Sequence, residues 1–265
     1  MKLLRYKNFI KESKEDIDYI SGDIKRKCKK FGIKNYTINE DSTIDVDGDV
    51  DLHRNRLTKL PLKFRRVSGD FSCYINQLKS LEGAPLSVGG GFYCYINQLK
   101  SLSGAPLSVG GDFYCSDNQL KSLEGAPLSV GGGFNCRFNQ LKSLSGAPLS
   151  VGSDFSCSYN QLISLSGISG KISGGIYCEN NQLRDVKGVK DGWLGEFDVY
   201  GNPVYGIFKL FPEDKWDEVI EILNEYEVIR DDGSLVILQR LEQVFLDIGL
   251  EVPEIEEIEG YKIHF

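Results

Sequence analysis

GAPLSVGGGFYCYINQLKSL (residues 83–102) is followed, 21 residues on, by GAPLSVGGDFYCSDNQLKSL (residues 104–123). Glycines, thiol and asparagine return unchanged. Aligning the chain on this step places Phe71, Phe92, Phe113, Phe134, Phe155, Ile176 and Phe197 in one column. Two residues later stand Cys73, Cys94, Cys115, Cys136, Cys157, Cys178 and then Val199. Three further on come Asn76, Asn97, Asn118, Asn139, Asn160, Asn181 and Asn202. One step back from Cys73 falls on Leu52, with Val50 and Asn55 in the neighbouring columns, so the array begins before its cysteines and has eight rungs. A fixed period of this length marks a solenoid, in which a unit too small to bury its own apolar side stacks on its neighbours.

Stacking explains the identity between units. Each column sets a residue above its own copy, so a side chain that fits one rung fits all. Phe and Cys are expected to point inward, the thiol acting as a small apolar group where a leucine would crowd. Asn is expected to turn its amide toward backbone groups that the strand leaves unpaired. Gly-Ala-Pro and Val-Gly-Gly suggest turns and extended backbone on the outer side, since Pro fixes φ and Gly permits positive φ. Disulfides along the ladder are not expected: stacked side chains lie about 4.8 Å apart and point the same way, a poor match to the required torsion. Nor is a metal site, which needs clustered ligands and short C-x-x-C spacings. Reduced structural thiols agree with a cytosolic home.

The unit F-x-C-x-x-N-Q-L-x-S-L resembles the leucine-rich repeat signature L-x-L-x-x-N-x-L-x-x-L, with Phe and Cys in place of the two strand leucines. The resemblance spans roughly residues 44–211 and is similar to the short repeats of bacterial effectors and of bacteriophage and bacterial chains. It implies an α/β repeat solenoid with a curved parallel β-sheet. At 21 residues the unit has no room for a helix on the convex side. The resemblance also implies recognition of a protein partner on the concave sheet and, for a phage chain, sequestration of a host protein such as a defence component.

An open stack of rungs needs caps at both ends. Upstream, Ile10, Ile17, Ile20, Ile24, Cys28 and Phe31 recur at helical spacing and Gly32 closes the run. YTINEDSTIDV then alternates like a hairpin leading into the first rung. Downstream, Trp216, Val219, Ile220 and Leu223 share one helical face, and so do Leu238, Leu241, Phe245 and Ile248, with Ser234 as N-cap and Gly249 as stop. YKIHF closes with a short strand. The expected organisation is an N-terminal helical and hairpin cap (1–43), an eight-rung solenoid (44–211) and an acidic helical C-terminal cap (212–265).

Net charge is −7, unevenly spread. Residues 1–40 carry 11 basic and 6 acidic side chains, residues 41–211 carry 16 of each, and residues 212–265 carry 4 basic and 16 acidic. A neutral array with an acidic tail is a poor polyanion binder, so nucleic acid is not an expected partner. No apolar run approaches the ~20 residues that cross a bilayer, and Arg5 and Lys7 interrupt the opening apolar residues. The expectation is a cytoplasmic protein, of the producing or infected cell, without membrane contact.

A catalytic constellation is not evident. The two histidines, His53 and His264, stand at opposite ends of the chain, and Cys28 is the one thiol outside the ladder. Neither G-x-S-x-G, a P-loop nor H-E-x-x-H occurs. DVDGDVD (residues 45–51) resembles a calcium loop, yet Arg56 and Thr58 stand where the closing Glu would fall. No enzyme activity and no cofactor are expected.

What remains is a surface. Residues flanking the buried Phe and Cys point the other way along a strand. They are Tyr93, Tyr114 and Tyr177 before the cysteine, and Tyr74, Tyr95, Arg137, Glu179 and Tyr200 after it. The next column adds Ile75, Ile96, Asp117, Phe138 and Tyr159. These columns vary from rung to rung while the buried ones hardly change, and they stay rich in Tyr, a residue type that dominates protein interfaces. The candidate partner-binding residues are therefore Tyr74, Tyr93, Tyr95, Tyr114, Arg137, Phe138, Tyr159, Tyr177, Glu179 and Tyr200. Two other readings are weighed beside it. One is a structural spacer or assembly subunit that self-associates through its terminal segments; the other is carbohydrate stacking on the aromatic sheet.

Overall fold

The computed structural model describes residues 18–168, 170–189, 195–230 and 233–264. Each 21-residue turn carries two short strands separated by a glycine corner, as in Ser87–Val88 followed by Phe92–Tyr93. Stacked turns form two eight-stranded sheets. The first runs from Tyr36–Ile38 through Ile44–Val46, Phe64–Val67 and the four Ser-Val strands to Lys171–Ile172. The second runs from Val50–Asp51 through Phe71–Ser72 and the Phe strands to Ile176–Tyr177 and Phe197–Asp198. Register follows the period directly: Phe71 pairs with Phe92, Phe92 with Phe113, Phe134 with Phe155 and Phe155 with Ile176, all parallel. The chain is thus a parallel β-solenoid of 21-residue turns.

One sheet was expected, with turns and extended backbone on the other side; that extended backbone pairs into a second sheet. The cause is the backbone itself. Leu107 N–H donates to the Leu86 carbonyl (2.9 Å) and Gly110 N–H to the Val88 carbonyl (3.0 Å), because every rung presents the same extended backbone to its neighbour and buried amides must pair. Between the sheets the chain turns so tightly that a Cβ on Gly110 would collide with the Gly89 carbonyl. The remaining arm, N-Q-L-K-S-L, buries Leu99 and Leu102 and sends Lys79, Lys100, Lys121 and Lys142 to solvent.

Inside, the phenylalanines stack face to face: Phe71 to Phe92 (5.3 Å between centroids), Phe92 to Phe113 (5.4 Å), Phe113 to Phe134 (5.5 Å) and Phe134 to Phe155 (5.2 Å). Each such contact adds about 0.5–1.5 kcal/mol beyond its buried area. The six ladder thiols are fully buried and unpaired. Burial pushes them well above the ordinary thiol range, so they behave as small apolar groups.

The asparagines knit successive rungs together. Asn118 Oδ1 accepts the Leu99 N–H (2.9 Å), and its Nδ2 donates to the Cys94 carbonyl (3.1 Å) and the Cys115 carbonyl (3.2 Å). Asn139 repeats this with Leu120, Cys115 and Cys136, and Asn160 with Leu141, Cys136 and Cys157. Every intervening cysteine carbonyl therefore receives two amides, one from its own rung and one from the next. The residue before each Asn is left-handed: Arg54, Ile75, Ile96, Asp117, Phe138, Tyr159 and Asn180 all have φ between 51° and 56°, and Gly201 ends the column at 71°. This conformation aims two consecutive side chains outward before the Asn turns in. It is costly for Ile, whose β-branch clashes there.

At the N-terminal end, a helix over residues 18–30 (α1) buries Ile24 and Cys28, and Phe31 packs against the core. Ile20 of the expected face is exposed, while Ile10 and Ile17 lie outside the described residues. The hairpin forms as expected, Tyr36–Ile38 pairing antiparallel with Ile44–Val46. In DVDGDVD each carboxylate is already engaged. Asp45 pairs with Arg65, Asp47 accepts from Ser68 Oγ (2.9 Å), Asp49 accepts the Asp70 N–H (2.8 Å) and Asp51 meets the His53 ring.

At the other end, the short helix Tyr205–Phe208 (α2) sets Phe208 against Phe197 (5.6 Å). Trp216–Glu225 (α3) buries Val219, Ile220 and Leu223, with Trp216 partly covered. Leu238–Asp247 (α4) buries Leu238, Leu241 and Phe245, and Ile248 follows it inward. Ser234 does not cap this helix. Leu235–Ile237 form a strand instead, antiparallel to Ile229–Arg230 and parallel to Lys262–His264, so α4 starts three residues later than its cap signal suggested. Gly249 (φ 74°) ends it. No helix among the described residues is long and apolar enough to cross a membrane.

Candidate functional site

The outer face of the second sheet is set out as a grid, one row per rung. Its first column is the corner before each Phe, where Asp and Gly alternate: Asp70, Gly91, Asp112, Gly133, Asp154, Gly175, then Glu196. Each aspartate reaches one rung forward. Oδ1 of Asp70 accepts the Gly91 N–H (2.7 Å), that of Asp112 the Gly133 N–H (2.7 Å) and that of Asp154 the Gly175 N–H (2.8 Å). Alternation holds these carboxylates two rungs apart, roughly 10 Å, where their mutual repulsion is largely screened.

The second column, between Phe and Cys, is half-buried throughout and carries Tyr93, Tyr114, Asn135, Ser156, Tyr177 and Asp198. Tyr93 lies over Gly91, leaving no room for a Cβ there. Tyr177 lies likewise over Gly175 and donates its hydroxyl to Glu196 (2.7 Å). That bond, followed by burial, pushes the Tyr177 phenol up to about 12. Tyr93, Tyr95 and Tyr114 are also raised, chiefly by burial. All four hydroxyls are held protonated at neutral pH, as hydrogen-bond donors rather than bases.

The third column follows the cysteine. His53, Tyr74 and Tyr95 stack in register, 4.8 Å and then 4.5 Å between ring centroids. Tyr93 and Tyr114 meet edge to face (5.5 Å) beside them. Further along, Arg137 sits 5.9 Å from the Phe138 ring, which stacks on Tyr159 at 4.4 Å, with both rings nearly half-exposed. Ser158 is fully buried and donates to Glu179, fixing that carboxylate. Tyr200 stands at the far end, against Tyr205 (5.4 Å).

The tyrosine column breaks at two rungs. Asn135 and Ser156 fill the places between Tyr114 and Tyr177, three rungs or about 14 Å apart. The break opens a cleft of about 310 Å³ with Tyr114 and Tyr177 at its ends, Asn135 and Ser156 on its floor, and Arg137, Asp112, Asp154 and Glu179 along its sides. Four of the ten candidate residues thus share one cleft. Tyr74, Tyr93 and Tyr95 form the aromatic block on its N-terminal side, Phe138 and Tyr159 flank it, and Tyr200 stands apart at the C-terminal end. A polar floor between aromatic walls, with one cation among three carboxylates, suits a protruding polar or charged group rather than a flat apolar one.

Sequence reading omitted His53, Ser116 and Ser158, which occupy the same column as Tyr74; counting 21 back from Tyr74 and on from Tyr95 finds them. Among the described residues, no group of three or more His, Cys, Asp or Glu is placed to hold a metal ion. No family profile, curated protein or solved structure matches this chain.

Proposed function

We propose that this chain is a non-enzymatic binding protein that holds a protein partner on the outer face of its second sheet. One observation carries the reading. Interior columns repeat because stacking demands it, whereas the outward columns of the same strands vary along the array and are rich in tyrosine. Tyr supplies large contact area with few torsions to freeze, Arg137 adds a planar cation, and the Tyr114–Tyr177 cleft gives the face a recess for an anchoring side chain. The leucine-rich-repeat resemblance supports recognition on the sheet, and for a phage chain it favours capture of a host protein.

The test is capture from host lysate by the wild type and by the Tyr93→Ala/Tyr95→Ala/Tyr114→Ala variant. Loss of a partner in the variant supports the face; equal capture of every partner removes it. A second reading, assembly through the chain ends, draws on the basic excess of residues 1–40 against the acidic residues 212–265. It requires self-association that high salt dissolves and that the tyrosine changes leave intact.

A further inference from the structure

An exposed apolar column runs along the other sheet. Leu86, Leu107, Leu128 and Leu149 form one column and are 58%, 62%, 58% and 69% exposed. Their backbones are locked in ladder register, Leu128 N–H donating to the Leu107 carbonyl (2.9 Å) and Leu149 N–H to the Leu128 carbonyl (2.8 Å). The half-buried Ala105, Ala126 and Ala147 lie beside them, and with Leu107, Leu128 and Leu149 they border a shallow trough of about 780 Å³. Interior packing does not account for these leucines. Val88, Val109, Val130 and Val151, two residues on, already fill the inward positions of this arm.

We infer that this face is where two copies of the chain meet, leucine column against leucine column, in a homodimer. Three features point to a second copy. Strand spacing in a sheet is about 4.8 Å, and side chains of two facing sheets interdigitate only when both share that spacing; another copy of the same solenoid has it by construction. The segments 83–90, 104–111, 125–132 and 146–153 contain no charged side chain, and the one charged residue lining the trough, Glu124, accepts from Ser145 Oγ (3.0 Å), so self-approach brings few like charges together. The column also has ends, Arg65 preceding Leu86 and Gly170 following Leu149, and because the same column meets its own copy the contact is isologous and closes at a pair.

The area fits a weak dimer. Roughly 100 Å² per leucine, with the flanking Ala, Pro and Ser surface, gives about 1,000 Å² buried over both copies, the lower end of specific interfaces. Interfaces of this size belong to the weak, transient class. Because the contact uses the first sheet, each copy keeps its tyrosine face free. The dimer would present two recognition faces, and a partner with two epitopes would be held by avidity. The inference does not depend on the tyrosine face being functional.

The test is sedimentation velocity on the full chain over a concentration series. The wild type is expected to pass from monomer to dimer around micromolar concentration. The Leu107→Glu/Leu128→Glu variant, with an unchanged circular dichroism spectrum and melting profile, is expected to stay monomeric tenfold higher or beyond. Mixing it with Leu107→Lys/Leu128→Lys should restore a heterodimer, which a merely misfolded variant would not. Tyr93→Ala/Tyr95→Ala should dimerise as wild type. A wild type still monomeric at about 100 μM overturns the inference. A leucine double variant that dimerises like wild type also overturns it, as does a dimer dissolved by salt but indifferent to the leucines.

Discussion

Replacing Asn118 with alanine removes one side chain that serves four backbone groups. The Leu99 N–H, fully buried, has Asn118 Oδ1 as its acceptor and no other partner among the described residues. The Cys94, Cys115 and Ser116 carbonyls share its two amide N–H groups, and each keeps another donor, from Asn97, Asn139 and the Ile96 N–H. Two lost donor bonds at about 1 kcal/mol each, plus about 1–3 kcal/mol for the orphaned amide, make a cost of about 3–5 kcal/mol. That is a large part of the ~5–15 kcal/mol that holds a domain folded. Urea unfolding followed by far-ultraviolet circular dichroism reads it as a lower midpoint at similar slope. Asn55→Ala is the internal control. This residue is exposed and its amide donates to the His53 carbonyl alone, so its loss should cost about 1 kcal/mol or less. If Asn118→Ala costs no more than Asn55→Ala, the amide ladder is not what joins the rungs.

Ile96→Asn should stabilise the protein by about 1 kcal/mol, since Ile96 is left-handed (φ 51°) and half-exposed while Asn tolerates that region, as Asn180 shows in the same column; an unchanged or lower urea midpoint contradicts it. Asp198→Asn should stabilise at neutral pH. Burial, then Glu179, Glu196 and Glu213, holds the Asp198 carboxyl above its usual value, so the folded state favours its protonated form. The ionised carboxylate therefore costs stability above that raised value, and the cost disappears as pH falls below the ordinary value of 3.8. Solvent screening keeps the gain to about 0.5 kcal/mol or less. Melting temperatures of the two forms should differ at neutral pH and converge in acid; a constant offset refutes the assignment.

The interior was legible in the sequence because stacking leaves one residue type per column. The Phe and Cys columns fix both the rung boundaries and the pairing of Phe92 with Phe71 and Phe113. The helical faces of α3 and α4 were legible for the same reason, as their periodicity repeats over several turns. Two-residue strands carry no such period. Ser87–Val88 reads as part of a turn, and only ladder bonds to neighbouring rungs make it a sheet. Leu235–Ile237 reads as helix in the sequence because its partner, Lys262–His264, lies far along the chain. The left-handed column was hidden by its residue types, Ile, Phe and Tyr, which on their own prefer negative φ. The cleft was hidden too. Asn135 and Ser156 look like ordinary variation until Tyr114 and Tyr177 are seen to stand at either end of them.

Hydroxyl-radical footprinting read by mass spectrometry tests most directly which columns are inside. Thiols are intrinsically the most reactive side chains toward this probe, so burial alone decides whether they are spared. Native protein is predicted to label at Phe138, Tyr159, Tyr200, Leu107 and Leu128, and to leave Cys73, Cys94, Cys115, Cys136, Cys157 and Cys178 untouched until denaturant is added. Ladder cysteines oxidised in the native protein as readily as Tyr200 would show that the invariant columns face water, and both proposed surfaces would lose their basis.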